Sequence, residues 1–369
     1  MFPFTVFFLD FVVTSSLHVV GSKTLGGAER FCLRLLEGLR ESGDEVGLVH
    51  RRGSEVADAV PPSIATHPSP LRTVWDPLSR RDIAGLIRRL RPDIVQTYMG
   101  RATRQTRLSR RKGPVHVARL GGYYKLNGYF HAHAWIGNTR GVCDYMLEAG
   151  LPVARVHHIS NFIDEPAPVS DADLDALRGE LGIPEDALTL MTAGRFVPVK
   201  GHCHLLEAFA RLPDEIGGRP LWLVMVGDGP LQGGLGDQAR QLGLENRVAW
   251  AGWRTEPGPF FQLADLVVFP SLEMETLGNV ILEAWAHRRP LVTTRFRGAR
   301  ELTHHGEDAW QAPCADSEAL AEAIRRVLTD PELGRDMAAR GRGRIDQEFT
   351  RQVIVGQYRE LYQQLLAGR

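Results

Sequence analysis

The sequence has few cysteines, no net charge and no long apolar run. Its four cysteines are far apart and form no CxxC pair, so the pattern predicts neither a disulfide framework nor a zinc site. They are Cys32, Cys143, Cys203 and Cys314. This usage favours a cytoplasmic protein. Lys and Arg (44) balance Asp and Glu (44), which argues against a general nucleic-acid binder.

The first residues, "MFPFTVFFLDFVVTSS", are apolar but too short to span a bilayer. The segment lacks a basic start and carries Asp10, so it does not match a secretory signal peptide. Residues 1–15 are therefore interpreted as an uncertain extension, either poorly ordered or in weak contact with a membrane.

Short strand-like runs, among them "DIVQTY" and "LTLMTAGRF", alternate with helical patterns along the rest of the chain, which is typical of parallel sheets covered by helices. The segment "EPAPVSDADLDAL" is interpreted as a linker between two such series. The sequence predicts the α/β class, with two Rossmann-like doubly wound domains facing each other across a cleft. The predicted limits are residues 16–165 and 166–348, with residues 349–369 forming a helix that packs back toward the first domain.

Two cations follow a predicted strand of the second domain in "GRFVPVKGH". Arg195 and Lys200 precede a helix and stand beside Gly194 and Gly201, an arrangement that suits a diphosphate. An ordinary exposed loop explains the pattern about as well. The turn "VGDGPL", with Gly227, closes the next strand but lacks the GxGxxG spacing of a dinucleotide site.

Two other strand ends carry weaker signals. Trp253 in "AGWR" is placed to border a nucleobase, although packing explains a lone aromatic residue at a strand end more simply. Gly26 and Gly27 in "GGAER" would allow a pyrophosphate or a sugar to approach the backbone closely, and a flexible turn is the alternative.

The segment "PSLEMETLGNVILEAWAHRRPLVTT" places Glu275 before a predicted helix and Glu283 inside it. Backbone N–H groups of residues 276–279 at the helix start favour an anion. Glu283, one turn after Asn279, would accept the hydroxyls of a ribose, and Glu275 those of a sugar beyond the phosphates. A helix-dipole partner and a surface residue are the alternative, which the apolar neighbours of Glu283 disfavour.

Taken together and in this order, these motifs resemble a family 4 retaining glycosyltransferase of the GT-B fold, of the bacterial glycolipid, lipopolysaccharide or polysaccharide type. "GRFVPVKG" matches the family's GR…KG loop, and "ETLGNVILE" matches its E-x7-E element. "HISNFID" resembles the family's Asn segment before the interdomain linker. The resemblance runs from about Ser16 to the C-terminus and is strongest over Gly194–Leu302.

The resemblance implies a catalytic set of Arg195 and Lys200 on the donor diphosphate and Glu275 on the transferred sugar, with Glu283 on the ribose. The other implied donor-binding residues are Gly26, Gly27, Gly194, Gly227, Trp253, Leu277, Gly278 and Asn279. It also implies that no metal or other cofactor is needed, because cations and N–H groups neutralise the diphosphate. The DxD strings at residues 171–175 lie in the predicted linker, where helix capping suits them better than metal binding.

The first half departs from the family pattern. Gln96 and Tyr98 stand where many relatives carry histidines. The acceptor-side candidates are Arg119, Tyr123, His131 and His133. For the two histidines a helix-end or surface role is at least as good an explanation, so the sequence identifies no side-chain base.

Charge is uneven along the chain. Residues 1–164 carry 22 Lys and Arg against 14 Asp and Glu, and "RATRQTRLSRRK" (residues 101–112) holds six cations without an acid. Solvated helix faces are one explanation, and peripheral contact with an anionic inner membrane face is the other. The expected partners are a nucleotide sugar, with a lean to UDP, and a glycan or lipid-linked acceptor, with no nucleic acid. A nucleotide-sugar epimerase and a non-catalytic nucleotide-sugar binder remain the alternatives.

Overall fold

The computed structural model describes residues 13–109 and 113–368. The chain divides into two compact units: unit 1 comprises the residues up to Asn161 and those from Arg351, and unit 2 comprises Phe162–Thr350. Most of the extension predicted over residues 1–15 lies outside the described residues, and the first strand begins at Ser15. None of the helices in the described part is both long and apolar enough to cross a membrane.

Unit 1 contains a sheet of seven parallel strands in the order β3-β2-β1-β4-β5-β6-β7. The strands are β1 (Ser15–Val20), β2 (Glu45–Arg51), β3 (Ala65–Ser69), β4 (Ile94–Tyr98), β5 (Val115–Leu120), β6 (Ala134–Gly137) and β7 (Val156–His158). The strand order reverses between β1 and β4, as in a doubly wound sheet.

The helices described in unit 1 are α1 (Gly27–Glu41), α2 (Glu55–Asp58), α3 (Pro77–Leu90), α4 (Met99–Gln105), α5 (Arg140–Glu148) and α14 (Arg351–Ala367). Two of these six helices, α3 and α5, begin at residues whose side chains cap the first turn. Asp76 caps α3 by accepting the backbone N–H of Leu78 at 3.1 Å, with Pro77 in the first turn. Thr139 caps α5, since its hydroxyl accepts the N–H of Val142 at 3.1 Å.

The last helix, α14, belongs to unit 1 although it follows unit 2 in the chain. The Tyr358 hydroxyl accepts a hydrogen bond from Nε of Arg119 at 2.8 Å. The Tyr362 hydroxyl donates to Oε1 of Gln96 at 2.9 Å, and all four side chains are buried. A buried polar group without its partner is destabilising, so these bonds fix α14 within the core of unit 1.

Unit 2 contains a second doubly wound sheet, with parallel strands in the order β11-β10-β8-β12-β13-β14. The strands are β8 (Leu188–Ala193), β9 (Glu215–Ile216), β10 (Arg219–Val226), β11 (Val248–Gly252), β12 (Leu266–Phe269), β13 (Leu291–Thr294) and β14 (Trp310–Ala312), and β9 pairs antiparallel with β10. The order reverses between β8 and β12. Two doubly wound α/β sheets are therefore confirmed.

Eight helices cover this sheet in the described part of the chain. They are α6 (Asp171–Leu181), α7 (His202–Phe209), α8 (Gln232–Gln241), α9 (Gly258–Leu263), α10 (Asn279–Ala286), α11 (Arg297–Leu302), α12 (Ser317–Leu328) and α13 (Pro331–Arg344). The linker predicted over "EPAPVSDADLDAL" is wrong in its second half, which forms the start of α6. The Ser170 hydroxyl accepts the N–H of Asp173 at 3.2 Å, and carboxylates in a first turn complement the helix dipole.

The core of unit 2 lies on both faces of the sheet. Along β8, Leu190 packs into one apolar cluster and Met191 into the other, and both are fully buried. A strand covered on both faces reads as a continuous apolar run, which is why "LTLMTA" is recognisable as a strand. This buried frame holds the loops at the strand ends in fixed positions.

Candidate functional site

The carboxyl ends of β8 and β12 meet where the strand order of unit 2 reverses. Open α/β sheets bind their ligands at such a point. β8 leads into residues 194–201, called here the lysine loop, and β12 leads into residues 270–278, called the glutamate loop. The predicted residues Lys200 and Glu275 lie on these two loops.

Lys200 and Glu275 form an ion pair that joins the two loops. Nζ of Lys200 lies 2.8 Å from Oε2 of Glu275, and the two side chains are 20% and 14% exposed. Nζ also lies 5.0 Å from the centroid of the Phe269 ring at the end of β12. The Ser271 hydroxyl contacts the same carboxylate at 3.5 Å. The structure thus places a mostly buried ammonium group directly beside a carboxylate where the two loops meet.

The two loops pack against each other backbone to backbone. Gly201 has a left-handed φ of +63°, and a Cβ atom there would collide with the carbonyl oxygen of Pro270. The N–H of Leu272 donates to the carbonyl of Val199 at 2.8 Å. Only glycine permits this approach, so Gly201 holds the lysine loop against the glutamate loop.

Helix α11 fixes the glutamate loop from its other side. Glu273 accepts hydrogen bonds from Nη1 of Arg300 at 2.8 Å and from Nε of Arg297 at 3.3 Å. The bond to Arg300 lowers the pKa of the Glu273 carboxyl. A Cβ on Gly298 would overlap the carbonyl of Thr276, so the helix backbone touches the loop. Glu273 carries no signal of this role in the sequence, because its arginine partners lie on a separate helix more than 20 positions later.

At the start of α10 the available polar groups are backbone N–H groups, with no side-chain cap among the described residues. Gly278 precedes the helix with a left-handed φ of +74°, and a Cβ there would lie 2.5 Å from Cε1 of Phe269. Leu277 is 4% exposed, so its side chain belongs to the core. Asn279 is the first helical residue, and Glu283 lies one turn later, half-buried among buried apolar neighbours. The predicted placement of Glu275 and Glu283 on either side of a helix start is present.

Three strand ends of unit 2 are stacked by close backbone contacts. The N–H of Gly194 donates to the Val226 carbonyl at 2.9 Å, and the N–H of Gly227 donates to the Gly252 carbonyl at 2.9 Å. A Cβ on Gly227 would overlap the carbonyl oxygen of Gly194. Gly227 is thus required by packing, whereas Gly194 has room for a Cβ and is favoured by its φ of +148°. Trp253 follows β11 and is 58% exposed, so its ring lies at the surface.

Arg195 and Lys200 supply positive charge before α7, and the nearby histidine supplies none. Arg195 is exposed, and its guanidinium has no partner among the described residues. Burial lowers the pKa of His202 to about 3, with a smaller contribution from Lys200. The His202 ring packs edge-on against Phe196 at 4.9 Å. Sequence patterns carry no signal for this neutral histidine, since burial decides its charge.

In unit 1, two carboxylates hold the glycine loop before α1. Glu29 is 5% exposed and accepts the N–H of Gly26 at 2.9 Å and the Ser22 hydroxyl at 2.5 Å. Glu55 accepts the N–H of Leu25 at 3.0 Å. Gly26 is the N-cap of α1 and Gly27 its first residue. Glu29 was missed in the sequence, although it occupies the third helical position where a capping glutamate is expected.

Arg119 lies in the core of unit 1 at 3% exposure. Besides Tyr358, it donates from Nη2 to Oδ1 of Asn161 at 2.5 Å, and its guanidinium lies 3.9 Å from the Phe31 ring centroid. These contacts make it a positioning residue for α14 in this structure. Tyr123, the next acceptor-side candidate, is half-buried.

The two predicted histidines have defined hydrogen-bond roles. Nε2 of His131 lies 2.9 Å from the carbonyl oxygens of both Thr103 and Thr106, so this nitrogen carries the proton. Nδ1 of His133 accepts the backbone N–H of His116 at 3.0 Å. No group of three or more His, Cys, Asp and Glu side chains placed to hold a metal ion occurs within residues 13–109 and 113–368.

The basic run is not a continuous exposed strip. Arg101 donates from Nη1 to the Gly21 carbonyl at 2.7 Å, and the Arg104 side chain packs onto Gly128. Residues 110–112 lie outside the described residues. The inward-facing arginines hold the loop after β1 and the turn at residues 126–128.

A more exposed basic surface lies on α3. Trp75 and Leu78 are 71% and 62% exposed. A groove along the helix is lined by Leu78, Arg81, Arg88 and Arg89, with Asp82 as the single acid among the described lining residues. We call Trp75 and the residues Leu78, Arg81, Arg88 and Arg89 the α3 surface.

Two family models match the chain. "Glycosyltransferase Family 4" matches residues 25–165, and "Glycosyl transferases group 1" matches residues 173–344. The chain is 33% identical over 350 residues to the lipopolysaccharide core biosynthesis glycosyltransferase LpsE of Rhizobium meliloti, covering 93% of this chain and 96% of that protein. It is 30% identical to LpsD of the same organism, covering 94% and 97%.

Solved structures show the same fold at lower identity. The structure of Anabaena HepE in complex with UDP and glucose matches with a TM-score of 0.82 at 22% identity, covering 95% of this chain and 99% of that one. The structure of WaaG, a glycosyltransferase involved in lipopolysaccharide biosynthesis, matches with a TM-score of 0.70 at 17% identity, covering 94% and 99%.

Proposed function

Because the chain belongs to the family 4 glycosyltransferases with the GT-B fold, we propose that it transfers a sugar, with retention, from a UDP-sugar to a hydroxyl of a glycan or glycolipid. The observation that carries the proposal is the Lys200–Glu275 pair at the strand-order reversal of unit 2. HepE structures with UDP and UDP-glucose, and the lipopolysaccharide core functions of LpsE and LpsD, support the donor and acceptor classes.

Arg195 and Lys200 are proposed to bind the donor diphosphate. Arg195 is exposed with its guanidinium available, and Lys200 reaches the same loop end with its charge partly offset by Glu275. The N–H groups at the start of α10, from Leu277 to Asn279, add positive potential there. These groups would stabilise the phosphate as it leaves, when its negative charge grows.

Glu275 and Glu283 are proposed to bind hydroxyls on either side of the phosphates. Glu275 already pairs with Lys200, so its carboxylate is oriented before a sugar arrives. Glu283 is oriented by α10 and by its buried neighbours. Gly194 and Gly227 keep the surrounding loops close, and Trp253 offers a ring for the base. Gly26 and Gly27 are proposed to contribute backbone contacts to substrate from unit 1.

In the proposed reaction the bond between the anomeric carbon and the phosphate oxygen breaks, and a bond to the acceptor oxygen forms on the same face. The leaving phosphate takes the acceptor's proton, so no side-chain base is required. Charge neutralisation by Arg195, Lys200 and the N–H groups makes a metal unnecessary. Equal transfer rates in chelator and in added Mg²⁺ are expected, and a chelator-sensitive rate would contradict metal independence.

Binding of UDP tests the donor site. At a UDP concentration of 100 times Kd, the wild type should gain about 2.7 kcal/mol of stability and melt at a higher temperature. The Arg195→Ala/Lys200→Ala variant should lose this shift, while Arg211→Ala/Arg240→Ala, at exposed positions elsewhere in unit 2, should keep it. An unchanged shift in the first variant would refute the assignment. Incubation with a UDP-sugar alone should give no sugar interconversion, which separates transfer from epimerisation.

The α3 surface is proposed to bring the enzyme to the cytoplasmic face of a membrane that carries its acceptor. Trp75 and Leu78 are apolar and exposed, and Arg81, Arg88 and Arg89 add charge complementary to anionic headgroups. In low-salt flotation, vesicles containing anionic lipid should carry the wild type, and a Trp75→Ser/Leu78→Ser/Arg88→Gln/Arg89→Gln variant should stay behind. The variant should still bind UDP. Absence of flotation by the wild type would overturn the membrane proposal and leave the donor site untouched.

A further inference from the structure

A second pocket lies at the opposite edge of the unit 2 sheet. The amino ends of β8, β10, β12 and β13 border it, and α12 and α13 form its other side. Its volume is about 490 Å³, within the usual range of small-molecule sites, roughly 300–1,000 Å³. We call it the arginine pocket. The lysine and glutamate loops leave β8 and β12 at their other ends, so the proposed donor site does not include it.

The pocket is strongly basic. Four of its described lining residues are arginines and one is an acid: Arg219, Arg288, Arg289, Arg335 and Asp265. The acid is already engaged, since Oδ2 of Asp265 accepts the N–H of Thr189 at 2.8 Å and lies 3.9 Å from Nη2 of Arg219. Positive charge therefore exceeds negative charge at the pocket surface.

Arg289 shows that this charge is only partly satisfied within the protein. Its Nη1 donates to the Ala264 carbonyl at 3.2 Å, but its Nε is buried and has no partner among the described residues. Burial lowers the pKa of the Arg289 guanidinium, and Asp265 opposes the shift. Arg288 and Arg335 are exposed at the rim. A planar guanidinium with unused donors is suited to a phosphate or a carboxylate.

The rest of the lining is aliphatic. It consists of Leu188, Pro290, Val327, Leu328, Pro331, Gly334, Ala338 and Ala339. Within the described part of the chain no aromatic side chain lines the pocket, so a nucleobase would find no ring to stack on. Small residues of α13 leave room along the helix, since a Cβ at Gly334 would meet Pro290 only at an ordinary 3.8 Å.

From this combination we propose that the arginine pocket binds an anionic amphiphile, an aliphatic chain ending in a phosphate or a carboxylate. The chain lies on the aliphatic lining, and the anionic group contacts Arg289 and the rim arginines. The site is separate from the proposed donor site and does not depend on that proposal.

Calorimetry with octyl phosphate, below its micelle concentration, tests the proposal. One saturable site is expected on the wild type, with the same affinity in the presence and absence of UDP. Orthophosphate and octyl glucoside, which lack the chain and the charge respectively, should each bind at least about 10-fold more weakly. Octanoate in place of octyl phosphate separates a phosphate-specific site from a general anion site.

Substitutions in the lining test whether octyl phosphate binds in the arginine pocket. Arg288→Ala/Arg335→Ala should weaken octyl phosphate binding by at least about 10-fold, and Ala339→Phe, at an exposed lining position, should do the same by filling the groove. Arg211→Ala/Arg340→Ala removes two exposed arginines that do not line the pocket and should leave the affinity unchanged. Absence of a saturable site, equal binding of octyl glucoside, or equal affinity in all variants would each overturn the proposal.

Discussion

Replacing Gly201 by alanine separates two effects that glycine has at the candidate site. Gly201 has a φ of +63°, a conformation that costs an L-residue about 1–2 kcal/mol. Its added Cβ would also collide with the Pro270 carbonyl oxygen. Gly182, after α6, has a nearly identical φ of +67°, and a Cβ there would have no described atom within 4 Å. Gly182→Ala is therefore a control for backbone strain alone.

The two variants should differ by the energy of the collision. For Gly182→Ala the strain is offset by about 0.4–1 kcal/mol from a less flexible unfolded chain, so a loss of about 1 kcal/mol is expected. Forcing a methyl group into a packed contact adds about 1–3 kcal/mol. Gly201→Ala should thus lose about 2–4 kcal/mol.

Urea unfolding followed by circular dichroism measures the stability, and calorimetry measures UDP affinity. Relief of the collision must move the lysine loop away from the glutamate loop, which breaks the bond between Leu272 and Val199. UDP should therefore bind at least about 10-fold more weakly to Gly201→Ala and unchanged to Gly182→Ala. Equal stability losses and equal UDP affinities in the two variants would show that the loops do not pack as described.

Three further outcomes are expected. Burial lowers the pKa of His202 to about 3, below the value of about 6.5 in the unfolded chain. The stability contributed by keeping His202 neutral is therefore complete above a pH of about 6.5 and is lost as the pH falls toward 3. The free energy of unfolding lost at pH 5 is about 2 kcal/mol. Unfolding curves of His202→Leu at neutral and acidic pH should no longer show this loss. An unchanged pH dependence would be inconsistent with a neutral His202. Arg119→Ala should destabilise the protein by about 3 kcal/mol, because Tyr358 and Asn161 lose a charged donor; an unchanged stability with a raised KM for acceptor would instead support contact with acceptor. Glu29→Ala should raise the KM for substrate by freeing the Gly26 loop while circular dichroism stays native, and unchanged kinetics would show that this loop does not contribute.

Sequence patterns predicted the strands that are buried on both faces and failed where that signal was absent. "DIVQTY" and "LTLMTAGRF" contain the central strands β4 and β8, whose apolar runs follow from helices on both sides. β3, "ATHPS", is a partly exposed edge strand with Pro68 inside it, so it carries no such run. The aspartates at the start of α6 suit a loop and a helix N-terminus equally, and only the Ser170 cap distinguishes the two.

For the candidate site, spacing identified the loops but not their contacts. Glu275 and Glu283 lie on either side of a helix start as the sequence indicates, because both are local to one segment. The Lys200–Glu275 pair joins segments 75 positions apart, and burial of Arg119 depends on α14 at the end of the chain. Such long-range partners leave no periodic pattern in a single sequence, and for the same reason the arginine pocket had no sequence signal.

The placement of α14 has a consequence for synthesis of the protein. Arg119 and Gln96 are translated early, but their tyrosine partners on α14 leave the ribosome only after all of unit 2. Domains that are contiguous in sequence can complete their folding during translation. Unit 2 meets that condition, whereas unit 1 does not. Until the final helix emerges, Arg119 and Gln96 must stay exposed to water or be shielded by a chaperone. The order of completion is then the reverse of the order of translation.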